Sequence, residues 1–142
     1  MNVQRHFYTA TTLTNGKVLV AGGSFYYGFN YTFSNSAELY DPSTGLWTKT
    51  GNMSVQRSYH TASLLTNGKV LVTGALLYNE FGYPSVLSSA EVYDPSSGLW
   101  TATGNMSNAK CAHTATSLLN GKILIVGGES LNGSLSNAEL YA

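Results

Sequence analysis

One phrase is written three times in this chain. Thr14-Asn15-Gly16-Lys17-Val18-Leu19-Val20 returns as Thr66-Asn67-Gly68-Lys69-Val70-Leu71-Val72, and again as Asn120-Gly121-Lys122-Ile123-Leu124-Ile125. A second phrase runs from Ala37 to Trp47, returns from Ala90 to Trp100, and begins once more at Ala138. A period of about 50 residues built from short strands predicts the blade of a β-propeller. A blade buries its faces only against neighbouring blades. The expected fold class is all-β, with three four-stranded antiparallel blades over residues 1–52, 53–105 and 106–142, the third lacking its outer strand.

Within a copy, the first strand is expected at 8–13, with counterparts at 60–65 and 113–118. Asn-Gly then suits a two-residue type I′ hairpin, because both residues tolerate positive φ. The second strand, 18–21, is apolar without alternation, as expected of a strand covered on both faces. It ends at Gly22-Gly23, matched by Gly74-Ala75 and Gly127-Gly128. The third strand begins at Ala37 and runs into the turn Asp41-Pro42-Ser43-Thr44-Gly45, where proline presets φ and the aspartate bonds the backbone ahead. Trp47 opens the outer strand, and Trp47 and Trp100 are expected as core aromatics.

Charge is scarce, at 10% of residues, and the net charge is zero. No electrostatic grip on nucleic acid or on an anionic membrane is expected from such a balance. No apolar run approaches the ~20 residues of a membrane span, and Met1-Asn2-Val3-Gln4-Arg5 opens inside a repeat and does not read as a signal peptide. Most charges fall at equivalent positions: Lys17, Lys69 and Lys122; Glu38, Glu91 and Glu139; Arg5, Arg57 and Lys110; Asp41 and Asp94. Only Lys49, Glu80 and Glu129 lie outside those sets. Charge that recurs in every copy serves the scaffold, which argues against a bespoke catalytic site. The single cysteine, Cys111, excludes an internal disulfide and a multi-cysteine metal site.

The arginine and histidine before strand one, the double glycine after strand two, Glu-x-Tyr-Asp, and a tryptophan about six residues beyond that aspartate together resemble the kelch repeat. The resemblance covers essentially the whole chain. It implies a kelch-type propeller, which closes with roughly six or seven blades. Tyr8, Ala75 and Lys110 depart from the pattern of the other copies. A chain of three such blades is expected either to continue into further blades or to self-associate, since it leaves a strand edge and a blade face open.

In a meander, alternate turns fall on opposite rims. The Asn-Gly and Asp-Pro turns share one rim and hardly vary. The loops 24–36, 76–89 and 129–137 share the other rim with the blade-to-blade links, and they differ in length and content. Variation on one rim suits recognition. The candidate binding residues there are Tyr26, Tyr27, Phe29 and Tyr31, then Tyr78, Phe81 and Tyr83, with Arg5 and Arg57 beside the first strands. Two readings of the rings stay open, a stacking surface for a partner and packing within their own loops. The arginines likewise have two, an acidic ligand and an ion pair with the recurring glutamates. His60 and His113 are expected to hydrogen-bond between blades, having no metal-ligand spacing.

The leading expectation is a non-enzymatic module that binds a protein or glycan partner, with no cofactor, no metal, no nucleic acid and no membrane insertion. The alternative is implied by the resemblance. Copper-radical oxidases similar to galactose oxidase use kelch-like propellers, with tyrosines, histidines and a cysteine-linked tyrosine at the metal. Asn30, Asn52, Asn105 and Asn132 stand in glycosylation sequons; these are compatible with an extracellular glycoprotein and leave the compartment open.

Overall fold

Gly16, Gly68 and Gly121 take φ of 83°, 81° and 81°, whereas the asparagines before them do not enter the left-handed region. The turns are therefore three-residue loops and not type I′ pairs. Leu13 N donates to Lys17 O at 2.8 Å and Gly16 N to Leu13 O at 3.0 Å. The asparagine side chain acts locally, its Oδ1 accepting from Lys17 N at 3.0 Å, so its backbone has no need of the left-handed region. At the other turn, Asp41 Oδ1 accepts from Ser43 N at 2.9 Å, and Gly45 closes the bend at φ 71°.

The computed structural model describes residues 1–141. Its strands in chain order begin with β1 (Thr9–Thr12), β2 (Val18–Ala21), β3 (Ser24–Tyr27), β4 (Asn30–Phe33), β5 (Ala37–Asp41) and β6 (Leu46–Lys49). Then come β7 (Thr61–Leu64), β8 (Val70–Tyr78), β9 (Pro84–Asp94) and β10 (Leu99–Thr103). The last are β11 (Thr114–Ser117), β12 (Ile123–Val126), β13 (Glu129–Ser130), β14 (Gly133–Ser134) and β15 (Ala138–Tyr141). Three antiparallel blade sheets result, ordered β1-β2-β5-β6, β7-β8-β9-β10 and β11-β12-β15. The third has three strands among the described residues.

Apolar side chains fill the two spaces between blades. Leu13, Leu19, Ala21 and Ala37 of the first blade meet Val70, Val72 and Tyr93 of the second, with Met53 of the link between them. Leu71 and Ala90 meet Ile123 and Ile125 in the same way, with Met106 at the seam. Each such large side chain contributes about 1.5–3 kcal/mol on burial. Tyr93 Oη lies 2.7 Å from Thr50 Oγ1, and Trp100 Nε1 donates to Gly51 O at 2.8 Å. The tryptophans are not core residues in the full sense. Both are half-buried, because the outer strand lies at the perimeter; Trp100 packs on the first core, while Trp47 leans on Tyr40 with ring centroids 5.0 Å apart.

The outermost faces show the reverse of this packing. Val126 and Leu140 of the third blade are exposed, and Leu124 is half-buried. At the other rim of the fold, Lys17 pairs with Asp41 at 3.2 Å and Lys69 with Asp94 at 2.9 Å. The Asn-Gly and Asp-Pro turns thus share that rim, which leaves the variable segments together on the opposite one.

Candidate aromatic rim

The segments read as loops are hairpins. β3 pairs with β4, placing Tyr26 opposite Tyr31, around a turn in which Gly28 takes φ 63°. In the second blade the strands never break. Gly74, at φ 69°, forms a bulge, and β8 continues to Tyr78, paired with Pro84 on β9. The cause is the departure at Ala75. Gly23 and Gly128 hold φ of 95° and 92°, which ends the strand, whereas Ala75 stays extended and buried in it. Asn79 Oδ1 closes the tip, accepting from Phe81 N at 3.0 Å and Tyr83 N at 2.9 Å. The third hairpin, β13 with β14, is two residues a side and has no aromatic residue.

Four of the rings named from sequence have no ring partner among the described residues: Tyr27, Phe29, Phe81 and Tyr83 all stand out into solvent, Phe29 fully so. The other three belong to a continuous aromatic surface. Tyr26 meets Tyr31 edge-on at 4.4 Å, and Tyr31 reaches Phe33 at 5.8 Å. Phe33, itself buried, stacks on Tyr78 at 6.2 Å and so joins the first hairpin to the second. His6 extends the surface inward. It stacks on Tyr26 at 5.4 Å, and its Nε2 lies 2.9 Å from Tyr31 Oη. Phe7 lies edge-on to His6 and stacks on Tyr59 at 4.0 Å.

His6, Phe7 and Tyr59 lie outside the segments from which the sequence nominates the rim, and Phe33 lies within one of them without being among the candidates. A signal for two of them existed, since Phe7, Tyr59 and Ala112 occupy one position of the repeat and differ in every copy. Between the hairpins lies a cleft of about 550 Å³, lined by Phe29, Asn30, Tyr31, Tyr78, Asn79 and Glu80 among others. Its volume lies in the ~300–1,000 Å³ range of small-ligand clefts.

The two arginines stand elsewhere. Arg57 is fully buried, and its guanidinium donates to the carboxylate of Glu91 at 3.0 Å, to Gly74 O at 3.1 Å and to Ser89 O at 3.0 Å. Arg5 does the same with Glu38 at 3.2 Å and Gly22 O at 2.8 Å. In the third blade Lys110 lies 3.6 Å from Glu139 and donates to Asn137 Oδ1 at 3.0 Å. Each glutamate also caps a link, Glu91 accepting from Ser54 N at 2.7 Å. Burial works against the Glu38 carboxylate, but the Asn2 amide and the Arg5 guanidinium outweigh it and hold its pKa below the usual range. Burial lowers Arg57 despite the glutamate beside it.

The histidines bridge blades. His60 Nε2 lies 3.0 Å from Thr9 Oγ1, and His113 Nε2 lies 2.9 Å from both Thr61 Oγ1 and Thr73 Oγ1. Burial holds His60 down to about 3 and His113 down to about 4. Cys111 is buried, its Sγ 3.7 Å from Glu129 O, and burial raises its thiol. Among the described residues, no three His, Cys, Asp or Glu side chains converge as metal ligands would.

Comparison with known proteins agrees with this geometry. The Kelch motif family model matches residues 5–54. An F-box/kelch-repeat protein of Arabidopsis thaliana is 32% identical over 128 residues, covering 90% of this chain and 32% of that protein. A galactose oxidase of Gibberella zeae is 29% identical over 91 residues, covering 64% of this chain and 12% of that protein. Among solved structures, that of YjhT superposes with a TM-score of 0.76 at 17% identity, over 96% of this chain and 51% of that one, a likeness of fold. The chain spans about a third or less of the length of these curated relatives. From the motif match, the relatives and the three blades together, the chain is a kelch-repeat protein with the fold of a partial β-propeller.

Proposed function

We propose that the chain is a non-enzymatic recognition module, and that the rim bearing the hairpins holds a protein or glycan partner. The observation behind this reading is the aromatic surface itself. Tyr26, Tyr27, Phe29, Tyr78, Phe81 and Tyr83 are exposed on one rim of a scaffold whose opposite rim is short-turned and uniform. Of these, Tyr27, Phe29, Phe81 and Tyr83 pack on no other ring among the described residues, and aromatic anchors dominate both sugar and protein recognition. The test is replacement of Tyr26, Tyr27, Tyr78 and Tyr83 by Ser, read by pull-down and glycan array. Binding should vanish while the unfolding transition stays cooperative; a signal that survives with the fold intact refutes the rim.

The partial similarity to galactose oxidase raises copper-radical oxidation as a second function. The residues do not fit it. His60 and His113 are committed to threonines between blades, His6 to Tyr31, and the Cys111 thiol lies beside the Glu129 carbonyl.

The open blade faces belong to the same proposal. Tyr40 and Trp47 at one end, and Val126 and Leu140 at the other, meet a further blade, supplied by continuing polypeptide or by a second copy. A light-scattering mass near 15.2 kDa with a cooperative unfolding transition would exclude the second copy.

A further inference from the structure

The hairpin segments 24–36, 76–89 and 129–137 contain Glu80 and Glu129 and no lysine or arginine. The cations nearest this rim are withdrawn from it: Arg5, Arg57 and Lys110 are buried against their glutamates. Lys17 and Lys69 face the opposite rim, paired with aspartates, and Lys49 stands on the outer strand β6 opposite Glu38. The surface richest in exposed aromatic rings is thus also one from which positive charge has been removed. Glu80 has no ion-pair partner among the described residues, and it lines the cleft together with Tyr31 and Tyr78.

We propose that this cleft takes a basic peptide segment, with an arginine or lysine laid on a tyrosine face and its charge matched by Glu80. The inference rests on the rim reading above and adds the sign of the partner's charge. The ring quadrupole of tyrosine attracts a cation placed over its face. Guanidinium is the better fit of the two, being planar, weakly hydrated and able to stack while donating to a carboxylate. Asn30 and Asn79 at the cleft wall supply the neutral polar groups that a peptide backbone needs. An acidic segment meets the opposite conditions, two carboxylates and no accessible cation on the hairpins.

The experiment is a fluorescence anisotropy titration of the chain with a labelled Gly-Ser-Arg-Ser-Arg-Ser-Gly peptide. Counterparts carrying Ala or Glu at both arginines are titrated beside it, at low and physiological salt. The arginine peptide should bind at least roughly tenfold tighter than either counterpart, more weakly as salt rises. Glu80→Gln, at an exposed turn position, should weaken it by roughly three- to tenfold without moving the unfolding transition. Failure of the arginine peptide to bind, equal binding of the Ala or Glu peptide, or unchanged affinity in E80Q overturns the inference. The rim reading fails separately: if the fourfold Tyr→Ser variant keeps its pull-down or glycan-array signal, the rim is wrong whatever the peptides do.

Discussion

Phe7 and Tyr59 stack face to face across the seam between the first two blades, centroids 4.0 Å apart and planes 19° from parallel. Both hold left-handed backbone, at φ 55° and 53°, and Ala112 holds the same place in the third blade at φ 50°. The amides there link the blades in series, Tyr59 N donating to Phe7 O at 3.2 Å and Ala112 N to Tyr59 O at 2.9 Å. Backbone at positive φ with a β-carbon costs about 1–2 kcal/mol, and this chain accepts it in every blade. The bend turns the side chain out toward the aromatic rim, so strain in the scaffold and presentation of the rings have one origin.

That strain is testable at Ala112, whose side chain is exposed. Ala112→Gly removes the clash of the β-carbon and loses some unfolded-state advantage, for a net gain of a few tenths to about 1 kcal/mol. Ala112→Val, branched at the same carbon, should lose about 1 kcal/mol or more. Chemical denaturation ranks the two. Equal stability of all three forms would mean the left-handed bend is absent in solution.

The buried ion pairs predict an asymmetry between blades. Arg57 makes five hydrogen bonds from its guanidinium, whereas Lys110 reaches Asn137 and lies 3.6 Å from Glu139. Arg57→Met strands Glu91 in the interior, and removing one partner of a buried pair costs about 3–5 kcal/mol. Glu139 is partly exposed, so Lys110→Met should cost clearly less. Denaturation midpoints of the two variants give the comparison.

How far these features could be read from the sequence differs from residue to residue. The Asp-Pro turn and the interblade histidines follow from aligning the copies, because each depends on one residue type at one repeat position. For Arg5 and Arg57 the alignment leaves an acidic ligand and an ion pair both open, and the fold has the ion pairs. The turn at Asn15-Gly16 departs from the type I′ expectation because a side-chain bond, and not the backbone angle, is what asparagine supplies there. The hairpins in the variable segments were hidden for another reason. Their aromatic residues sit on both faces, so the alternation that marks a half-buried strand is missing, although Gly28 amid aromatic and threonine residues is consistent with a tight turn. Trp47 and Trp100 occupy one repeat position yet differ in surroundings, which no repeat alignment can show.

Stability should fall as the solution turns acid. His60 and His113 stay neutral in the fold down to about 3 and about 4, while in the unfolded chain they take up protons near pH 6.5. Between those values the unfolded state binds more protons, so each histidine removes up to about 1.4 kcal/mol per pH unit as pH falls. Glu38 and Glu139, whose pKa values are also lowered, add to the loss below about pH 4.5. Denaturation midpoints should decline steadily from about pH 7 to about pH 5. The double variant His60→Gln, His113→Gln should be less stable at neutral pH but flatter across that range. A wild-type profile flat over the same range would contradict the buried, neutral histidines.

Gly22, Gly74 and Gly127, one at the same repeat position of each blade, report which blade faces are covered. A β-carbon on Gly22 would stand 2.5 Å from Arg57 O and 2.8 Å from His60 Cε1. On Gly74 it would strike Lys110 O and come 2.7 Å from His113 Cε1. In both cases the obstacle is the link that enters the next blade, and backbone cannot yield. On Gly127 the nearest atom is Leu135 O at 3.5 Å, ordinary contact. Gly74→Ala should therefore unfold or severely destabilise the chain, by more than about 3 kcal/mol. Gly127→Ala, at φ 64°, should cost only the left-handed strain of about 1–2 kcal/mol. The contrast also reads out what covers the third blade. In a form where a further blade docks there, its entering link would occupy the seat at Gly127, and Gly127→Ala should become as damaging as Gly74→Ala. Measuring both variants in the three-blade chain and in any longer or self-associated form distinguishes the open face from the covered one.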